Sequence, residues 1–285
     1  MGQGWIDVQV QSSMDAGELA GLLNDPWMMG GWQENGMIHL YWPHERWTAE
    51  TRQDLTALVQ RFGIDAASIV VHSVPDEDWN AAWARSVKPF RVGQCIVIRP
   101  SWETIALKAD DVELVLDPKQ AFGTGHHATT QLLLEWLEAH VHGGERVLDV
   151  GTGSGILAMV ALRLGAAEAL GIDHDPVAIE CAHGYAVENG FGTELILDTS
   201  ALTDLSSRQF DIVLANLDRR TLLDANDALA CCLDGHSRLV LSGLLADDRA
   251  DLLHAFSQAG CDLVWEQERD GWLAMAFIRR QKRRV

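Results

Sequence analysis

The chain has 285 residues, of which 47% are hydrophobic, so it is long enough and apolar enough for one large packed domain and a smaller one. Its formal net charge of −19 serves either solubility alone or the attraction of a cationic partner. Because binding to nucleic acid depends on cationic contacts with phosphates, we expect no direct nucleic-acid target, and a basic polypeptide is the favoured partner.

The five cysteines show neither the paired spacing of a metal site nor the density of a disulfide scaffold, so we predict buried thiols in a reducing compartment. The first residues, "MGQGWIDVQV", lack the basic and apolar regions of a signal peptide. No uncharged apolar run approaches the length of a membrane span. These features predict a cytoplasmic protein without membrane contact.

Residues 1–73 alternate short strand and helix patterns. "WIDVQVQS" predicts a strand, Asp15 and Glu18 have capping-box spacing ahead of a helix, and "MGGWQENGMIHLYW" predicts a hairpin. A second helix then ends at Gly63, and "SIVVHSV" predicts a last strand. The order βαββαβ is the ferredoxin-like α+β arrangement.

A connecting helix is predicted over residues 74–88, where acidic residues precede Trp79 and Trp83 at helical spacing and Pro89 follows. Eight of the eleven tryptophans lie at or before Trp102. Such a cluster forms either the core of a small domain or a docking surface, and the core interpretation is favoured.

Residues 89–285 contain repeated strand and helix units from Arg146 onward. Continuous apolar strands such as "RVLDVG" and "FDIVLAN" are separated by amphipathic helices, one of which is predicted to run to about Leu233 before "RLVLSG". This pattern is typical of a parallel sheet covered on both faces. The last two strands, "CDLVWEQE" and "WLAMAFIRR", are joined by a short turn and must pair antiparallel. We therefore predict a doubly wound α/β domain with a hairpin at one edge.

A glycine-rich turn, "VLDVGTGSG", directly follows the first strand of this sheet. Glycine lets the backbone turn sharply and approach a ligand, although such a turn can also be purely structural. Asp173 ends the next strand, 22 residues after Gly151, where a carboxylate can accept hydrogen bonds from a ribose. The G-x-G-x-G spacing argues against a nicotinamide-dependent oxidoreductase. Together with the edge hairpin, it resembles the class I methyltransferases, Rossmann-like seven-stranded enzymes that use S-adenosylmethionine.

Further motifs narrow the resemblance. "DPKQAFGTGHHATT" is followed by "VLDVGTGSGILA", "GIDHDP", "NG", "ANL", "LSGLL" and "DGW", in that order. This series resembles the bacterial PrmA family, which methylates the large-subunit ribosomal protein numbered eleven on lysine side chains and its N-terminal amine. The resemblance implies an S-adenosylmethionine-dependent protein methyltransferase. In it, residues 1–73 would recognise the substrate and residues 89–285 would form the catalytic domain.

The resemblance also implies roles for individual residues. Asp173 would hold the ribose of the cofactor, and residues in the loop before Thr130 would cover the bound cofactor. The residues implied to bind the cofactor are Phe122, Thr124, Thr130, Gly151, Gly153, Asp173 and Asn216. Asn216 and Leu217 of "ANL" would be catalytic, because the Asn216 amide oxygen and backbone carbonyls would orient the lone pair of the target amine. Desolvation and the nearby sulfonium favour the neutral amine, so no dedicated base is required.

Three features next to these motifs allow more than one interpretation. His126 and His127 lack acid or cysteine partners at ligand spacing, so we predict no metal site there. Asp218 and the two arginines after it depart from the family pattern: either this carboxylate lies near the target amine, or the three residues cap the next helix. Asp175, followed by Pro176, is predicted as a helix N-cap.

The alternatives for function are another protein or nucleic-acid amine as substrate, or a non-catalytic cofactor-binding translation factor.

Overall fold

In a computed structural model of the chain, the described residues are 4–12, 14, 19, 22, 23, 25, 27–34, 36–74, 88–117 and 125–280. The chain divides into two compact units, residues 1–85 and 86–285. The predicted capping box at Asp15 and Glu18 lies outside the described residues, as do Phe122 and Thr124. The predicted connecting helix lies outside them as well, apart from its two end residues.

The first unit contains a four-stranded antiparallel sheet. Its strands are β1 (Trp5–Gln11), β2 (Gly30–Glu34), β3 (Met37–Pro43) and β4 (Val70–Val74), in the spatial order β2-β3-β1-β4. Helix α1 (Ala49–Arg61) begins after Thr48, whose hydroxyl accepts a hydrogen bond from the Thr51 amide. Gly63 follows the helix with a positive φ of 72°. The predicted strands, hairpin and second helix are thus confirmed.

The core of the first unit lies on one face of this sheet. Side chains alternate between the two faces of a strand, and Ile6, Val8 and Val10 of β1 are buried against Leu55 and Val59 of α1. Trp42 lies in the same core and is fully buried. The core interpretation of the tryptophan cluster is wrong for three members that remain about half exposed: Trp27, Trp32 and Trp102.

The second unit begins with a small sheet that the sequence did not predict. Its strands are β5 (Phe90–Val92), β6 (Ile96–Arg99) and β7 (Val112–Val115). Strand β6 pairs antiparallel with β5 and parallel with β7. Asn189 holds β7 from a distant part of the chain: its side chain accepts a hydrogen bond from the Val115 amide at 2.7 Å and donates one to the Val115 carbonyl at 2.8 Å.

A seven-stranded sheet forms the centre of the second unit. Its strands are β8 (Arg146–Val150), β9 (Glu168–Ile172), β10 (Leu195–Asp198), β11 (Phe210–Asn216), β12 (Leu233–Leu245), β13 (Cys261–Arg269) and β14 (Trp272–Arg279). The spatial order is β10-β9-β8-β11-β12-β14-β13. The first five strands in this order are parallel, and β14 pairs antiparallel with both of its neighbours. The predicted antiparallel edge hairpin is confirmed.

Helices cover both faces of this sheet. They are α2 (Ala128–His140), α3 (Ile156–Arg163), α4 (Pro176–Glu188), α5 (Arg219–Asp224), α6 (Asn226–Cys231) and α7 (Arg249–Gln258). The apolar sides of α2, α3 and α4 pack in one core cluster, and those of α5, α6 and α7 pack in another. Among the described helices, none has the length and apolar character needed to cross a bilayer.

Two expectations about the second unit need correction. The single helix predicted before β12 is two short helices, which are divided at Ala225, where the backbone has a φ of −94° and a ψ of 0°. Strand β12 accordingly begins at Leu233, before "RLVLSG". All five cysteines are free thiols, but only Cys232 and Cys261 are buried: Cys95 and Cys181 are partly buried and Cys231 is exposed.

Candidate functional site

The glycine-rich turn connects β8 to α3 at the carboxyl edge of the seven-stranded sheet. Gly151, Gly153 and Gly155 all have positive φ angles, of 71°, 55° and 79°, which side chains with a Cβ rarely adopt. The amides of Gly151 and Thr152 donate to the Ile172 carbonyl at 2.8 and 3.0 Å. These hydrogen bonds fix the turn against the end of β9, the strand that Asp173 follows.

Asp173 is oriented by two backbone amides. Its carboxylate accepts one hydrogen bond from the Gly153 amide at 3.0 Å and one from the Asp175 amide at 3.1 Å. Its side chain is 11% exposed. A carboxylate offers about four acceptor positions, so two remain for the hydroxyls of a ligand. The predicted cap is confirmed: Asp175 accepts a hydrogen bond from the Val177 amide, and Pro176 is the first residue of α4.

Asn216 lies at the end of β11, beside the first turn of α2. Its amide nitrogen donates to the Thr130 hydroxyl at 3.3 Å, which joins two predicted site residues 86 positions apart. Thr130 is 1% exposed. Because the amide nitrogen is engaged by Thr130, the amide oxygen of Asn216 is the end of the side chain left to orient a ligand.

Leu217 packs against two glycine backbones. A Cβ at Gly151 would lie 2.4 Å from Leu217 Cδ2, and a Cβ at Gly243 would lie 2.3 Å from the Leu217 carbonyl oxygen. The Leu217 amide also donates to the Ser242 carbonyl at 3.1 Å. The motifs "VGTGSG", "ANL" and "LSGLL" therefore meet at one point. Part of the space at Gly151 is taken by Leu217, a packing role that sequence analysis did not predict.

His127 and His126 have structural contacts on either side of the start of α2. The His127 side chain accepts a hydrogen bond from the Thr129 amide and caps the helix, and its ring meets Trp272 edge-on at 4.7 Å between centroids. The ring of His126 lies 4.1 Å from that of Phe90. Within the described part of the chain, no group of three His, Cys, Asp or Glu side chains could hold a metal ion.

Asp149 is a buried acid in β8 that sequence analysis missed. It is fully buried, and its Oδ2 accepts a hydrogen bond from the Thr152 hydroxyl at 2.6 Å. In the described structure its Oδ1 has no hydrogen-bond partner. Burial outweighs the opposing effect of the Thr152 hydroxyl and raises the pKa of Asp149 from 3.8 to about 6. The sequence feature that could have identified Asp149 is an acidic residue among the apolar residues of the strand "RVLDV".

Comparison with known proteins identifies the family. The sequence profile described as "Ribosomal protein L11 methyltransferase (PrmA)" matches residues 20–280. The chain belongs to this family. It is therefore an S-adenosylmethionine-dependent methyltransferase, and the resemblance drawn from its motifs is confirmed.

Three curated members of the PrmA family are 38–40% identical to this chain over the aligned residues. The ribosomal protein L11 methyltransferase of Symbiobacterium thermophilum is 40% identical over 72% of this chain and 67% of its own length. Those of Geobacter sulfurreducens and Pseudomonas aeruginosa strain LESB58 are 39% and 38% identical, and cover 78% and 81% of this chain and 76% and 79% of their own.

A crystal structure in the family has the same fold. The ribosomal protein L11 methylase of Lactobacillus delbrueckii subsp. bulgaricus superimposes with a TM-score of 0.64 at 28% identity. It covers 68% of this chain and 100% of the crystallised chain. A class I S-adenosylmethionine-dependent methyltransferase fold with a mixed α/β sheet is thus established for this chain.

The residues around the glycine turn fit the family's cofactor. Gly153 has a positive φ of 55°, and Asp173 has acceptor positions beyond the two amides that hold it. Asn216 and Thr130 lie at the end of the neighbouring strand β11 and the first turn of α2. These groups match two neighbouring parts of S-adenosylmethionine: Asp173 suits the ribose, and Asn216 and Thr130 suit the region of the sulfonium and its methyl group.

Asp218, where the chain departs from the PrmA pattern, caps α5. Its carboxylate accepts hydrogen bonds from the Thr221 hydroxyl at 2.5 Å and from the Arg220 and Thr221 amides at 2.9 and 3.1 Å. The Thr221 hydroxyl and these amides lower the pKa of Asp218. Arg219 pairs with Asp251. Of the two interpretations, the structure therefore shows the helix cap.

The edge hairpin is fastened to the helix that carries Thr130. Arg269, at the end of β13, donates to the Glu135 carboxylate at 2.8 and 3.0 Å and to the Gln131 side chain at 3.3 Å. Both acceptors lie on α2: Gln131 is about one turn and Glu135 about two turns after the start of the helix. The position of Thr130 is thus supported from a distant part of the sheet.

Proposed function

We propose that this methyltransferase modifies lysine side chains, the N-terminal amine, or both, of the large-subunit ribosomal protein L11. The observation that carries the proposal is the hydrogen bond between Asn216 and Thr130, because it leaves an oriented amide oxygen at the end of β11, where a target amine can be received. The names of the curated relatives supply the substrate class. A ribosomal protein substrate also implies action in the cytoplasm on a basic polypeptide, with no direct nucleic-acid target.

Five described residues would contact the cofactor. Asp173 would accept hydrogen bonds from the ribose, Gly151 and Gly153 would present backbone to it, and Thr130 would lie beside it. Asn216 would contact both cofactor and substrate. The roles of Phe122 and Thr124 as a cover over the cofactor rest on the family resemblance alone.

The reaction requires a neutral amine in line with a methyl group. When bound, S-adenosylmethionine supplies an electrophilic methyl group on a sulfonium. A lysine has an ordinary pKa of about 10.4, so the protein must favour its neutral form by excluding water from the side chain. The Asn216 oxygen can accept one N–H of the amine and so turn its lone pair toward the methyl group. The Leu217 carbonyl lies next in the chain and is the second candidate acceptor.

The first unit is the proposed substrate-recognition domain. We infer that residues 1–73 form a ferredoxin-like domain, that residues 74–88 link it to the rest, and that residues 89–285 catalyse methyl transfer. The antiparallel sheet of four strands and the helix between β3 and β4 support this assignment.

Intact-mass spectrometry of purified L11 tests the proposal. Incubation with the enzyme and S-adenosylmethionine should add methyl-sized mass steps to L11, and the Asp173→Ala variant should add few or none. If L11 stays unmodified although calorimetry shows cofactor binding, the substrate assignment is wrong. Another protein or nucleic-acid amine, or a non-catalytic role in translation, would then replace it.

A further inference from the structure

The first unit has a groove on the sheet face opposite its core. It has a volume of about 610 Å³ and is lined by Trp5, Asp7, Trp32, His39, Tyr41 and Val74. The strand register places these side chains on one face: Trp5 is opposite Val74, Asp7 is opposite Tyr41, and Trp32 is opposite His39. A groove of this size is large enough for one extended side chain and the backbone that carries it.

Hydrogen bonds and stacking fix the aromatic rings of the groove. The rings of Trp32 and His39 are stacked, with centroids 4.6 Å apart and an interplanar angle of 13°. The Trp32 indole nitrogen donates to the Tyr41 hydroxyl at 3.0 Å. Yet Trp32 is still 45% exposed. An exposed ring that is already held in one orientation loses little conformational entropy on binding a partner, so the groove is pre-organised for recognition.

A carboxylate lies in the floor of the groove. The Asp7 carboxylate accepts a hydrogen bond from the side-chain amide of Gln9 at 2.9 Å and lies 3.1 Å from His39 Nδ1. The Asp7 side chain is 11% exposed. Gln9 carries no charge, so its hydrogen bond leaves the negative charge of Asp7 in place. Partial burial strengthens its attraction for a cation, because water screens it less than at the open surface.

The surroundings of the groove contain few competing cations. Among the described strand residues that face this side of the sheet, none is a lysine or arginine. Residues 1–74 contain nine acidic side chains, three arginines and no lysine. Aromatic faces and a carboxylate together select an ammonium or guanidinium group and disfavour an anion.

The groove lies partly outside the region shared with the family. The PrmA match begins at residue 20, whereas Trp5 and Asp7 belong to β1. We propose that this groove binds a lysine or arginine side chain of the protein substrate and so helps to select that protein. The inference rests on the proposed function and deepens it, since it assigns substrate selection to a groove of which two lining residues precede the family match and four lie within it.

Steady-state methylation of L11 by two groove variants tests this inference. Trp32→Ala removes an aromatic wall, and Asp7→Asn removes the charge but keeps the shape and an oxygen that can accept the hydrogen bond from Gln9. Each should raise the KM for L11 about five- to ten-fold, which is the range expected for one cation–aromatic or ion contact in a partly desolvated site. The kcat and the KM for S-adenosylmethionine should stay unchanged.

A matched control and a salt series separate the cationic contact from general effects. Trp102 is 46% exposed, almost the same as Trp32, but belongs to the second unit, so Trp102→Ala should leave the KM for L11 unchanged. Raising the salt concentration from about 50 to about 300 mM should raise the KM of the wild type more than that of Asp7→Asn, because the variant lacks the Asp7 charge that salt screens in the wild type.

Each outcome decides a different point. Wild-type methylation of L11 with unchanged KM in both groove variants overturns this inference and leaves the proposed function standing. A higher KM in Trp32→Ala alone, with equal salt dependence in Asp7→Asn, overturns the cationic assignment. A wild type that leaves L11 unmodified overturns the proposed function and this inference together. Thermal unfolding of each variant checks that the first unit remains folded.

Discussion

The side-chain amide of Asn216 donates to the hydroxyl of Thr130, and this bond joins the end of β11 to the first turn of α2. Both residues were expected at the cofactor site from separate motifs, yet nothing in either motif specified a contact between them. The bond makes the orientation of the Asn216 oxygen depend on Thr130. The two side chains should therefore act as a unit in catalysis.

A double-mutant cycle tests this dependence. Asn216→Ala should lower kcat about ten- to hundred-fold, and Thr130→Val, which keeps the shape and removes the hydroxyl, should lower it about three- to ten-fold, as expected for one lost hydrogen bond. The double variant should lose less than the product of the two effects. Strictly multiplicative losses in kcat would show that Thr130 does not orient Asn216.

Asp173→Ala should weaken cofactor binding at least ten-fold by calorimetry, because it removes a carboxylate with two acceptor positions still open to a ligand. Asp175→Ala is the matched control two residues away. It removes the cap of α4 and should cost about 1 kcal/mol of stability, with little change in cofactor affinity. Equal affinity losses in the two variants would assign the effect to the local backbone rather than to ribose binding.

The sequence predicted those parts of the fold that have local signals. Apolar strands between amphipathic helices, the glycine turn and the edge hairpin each arise from residues close together in the chain, and each was found where expected except the helix before β12, which is divided in two. Strands β5 to β7 are only three or four residues long, too short for a pattern. Strand β7 is also held by Asn189, 74 positions away, so its stability comes from a contact that no local pattern contains.

The residues of the site likewise divide into those predicted from nearby sequence and those whose roles depend on distant contacts. Asp173 and Asn216 were predicted because each follows a recognisable strand. The packing of Leu217 against Gly151 and Gly243 was not predicted, because it requires two loops to meet. Asp218 allowed two interpretations from sequence, and only the positions of the Thr221 hydroxyl and the following amides distinguished them.

Gly243→Ala tests the packing around Leu217. Gly243 has a φ of 86°, and an added Cβ would lie 2.3 Å from the Leu217 carbonyl oxygen, a backbone atom that cannot rotate away. We expect a loss of about 3 kcal/mol in unfolding free energy, from backbone strain and overpacking together, and a lower kcat because Asn216 adjoins the displaced residue.

Gly190→Ala provides the comparison for Gly243→Ala. Gly190 has a similar φ of 73°, but an added Cβ would meet nothing within 4 Å. This variant should lose only about 1 kcal/mol, the cost of the left-handed backbone alone, and keep its kcat. Denaturant unfolding measures both changes. Equal losses for the two glycines would mean that the Leu217 contact relaxes at no cost.

Asp149 should make the stability of the ligand-free protein depend on pH. Its pKa is raised from 3.8 to about 6 in the folded chain, so the folded state binds this proton more tightly than the unfolded state. The stability associated with the protonated group is fully present below about pH 4, and is lost as the pH rises to about 6. Asp149→Asn removes the ionisation while keeping an oxygen that can accept the Thr152 hydroxyl.

At pH 7 the Asp149→Asn variant should therefore be more stable than the wild type by about 1–3 kcal/mol, measured as a higher midpoint of thermal unfolding. The difference should shrink as the pH falls and disappear near pH 4, where the wild-type carboxyl is neutral as well. Thr152→Val is the companion variant, because it leaves the acid buried without its hydrogen bond and should destabilise the protein at pH 7. A wild type that is more stable than Asp149→Asn throughout this range would show that the folded site favours the carboxylate, contrary to the effect of its burial.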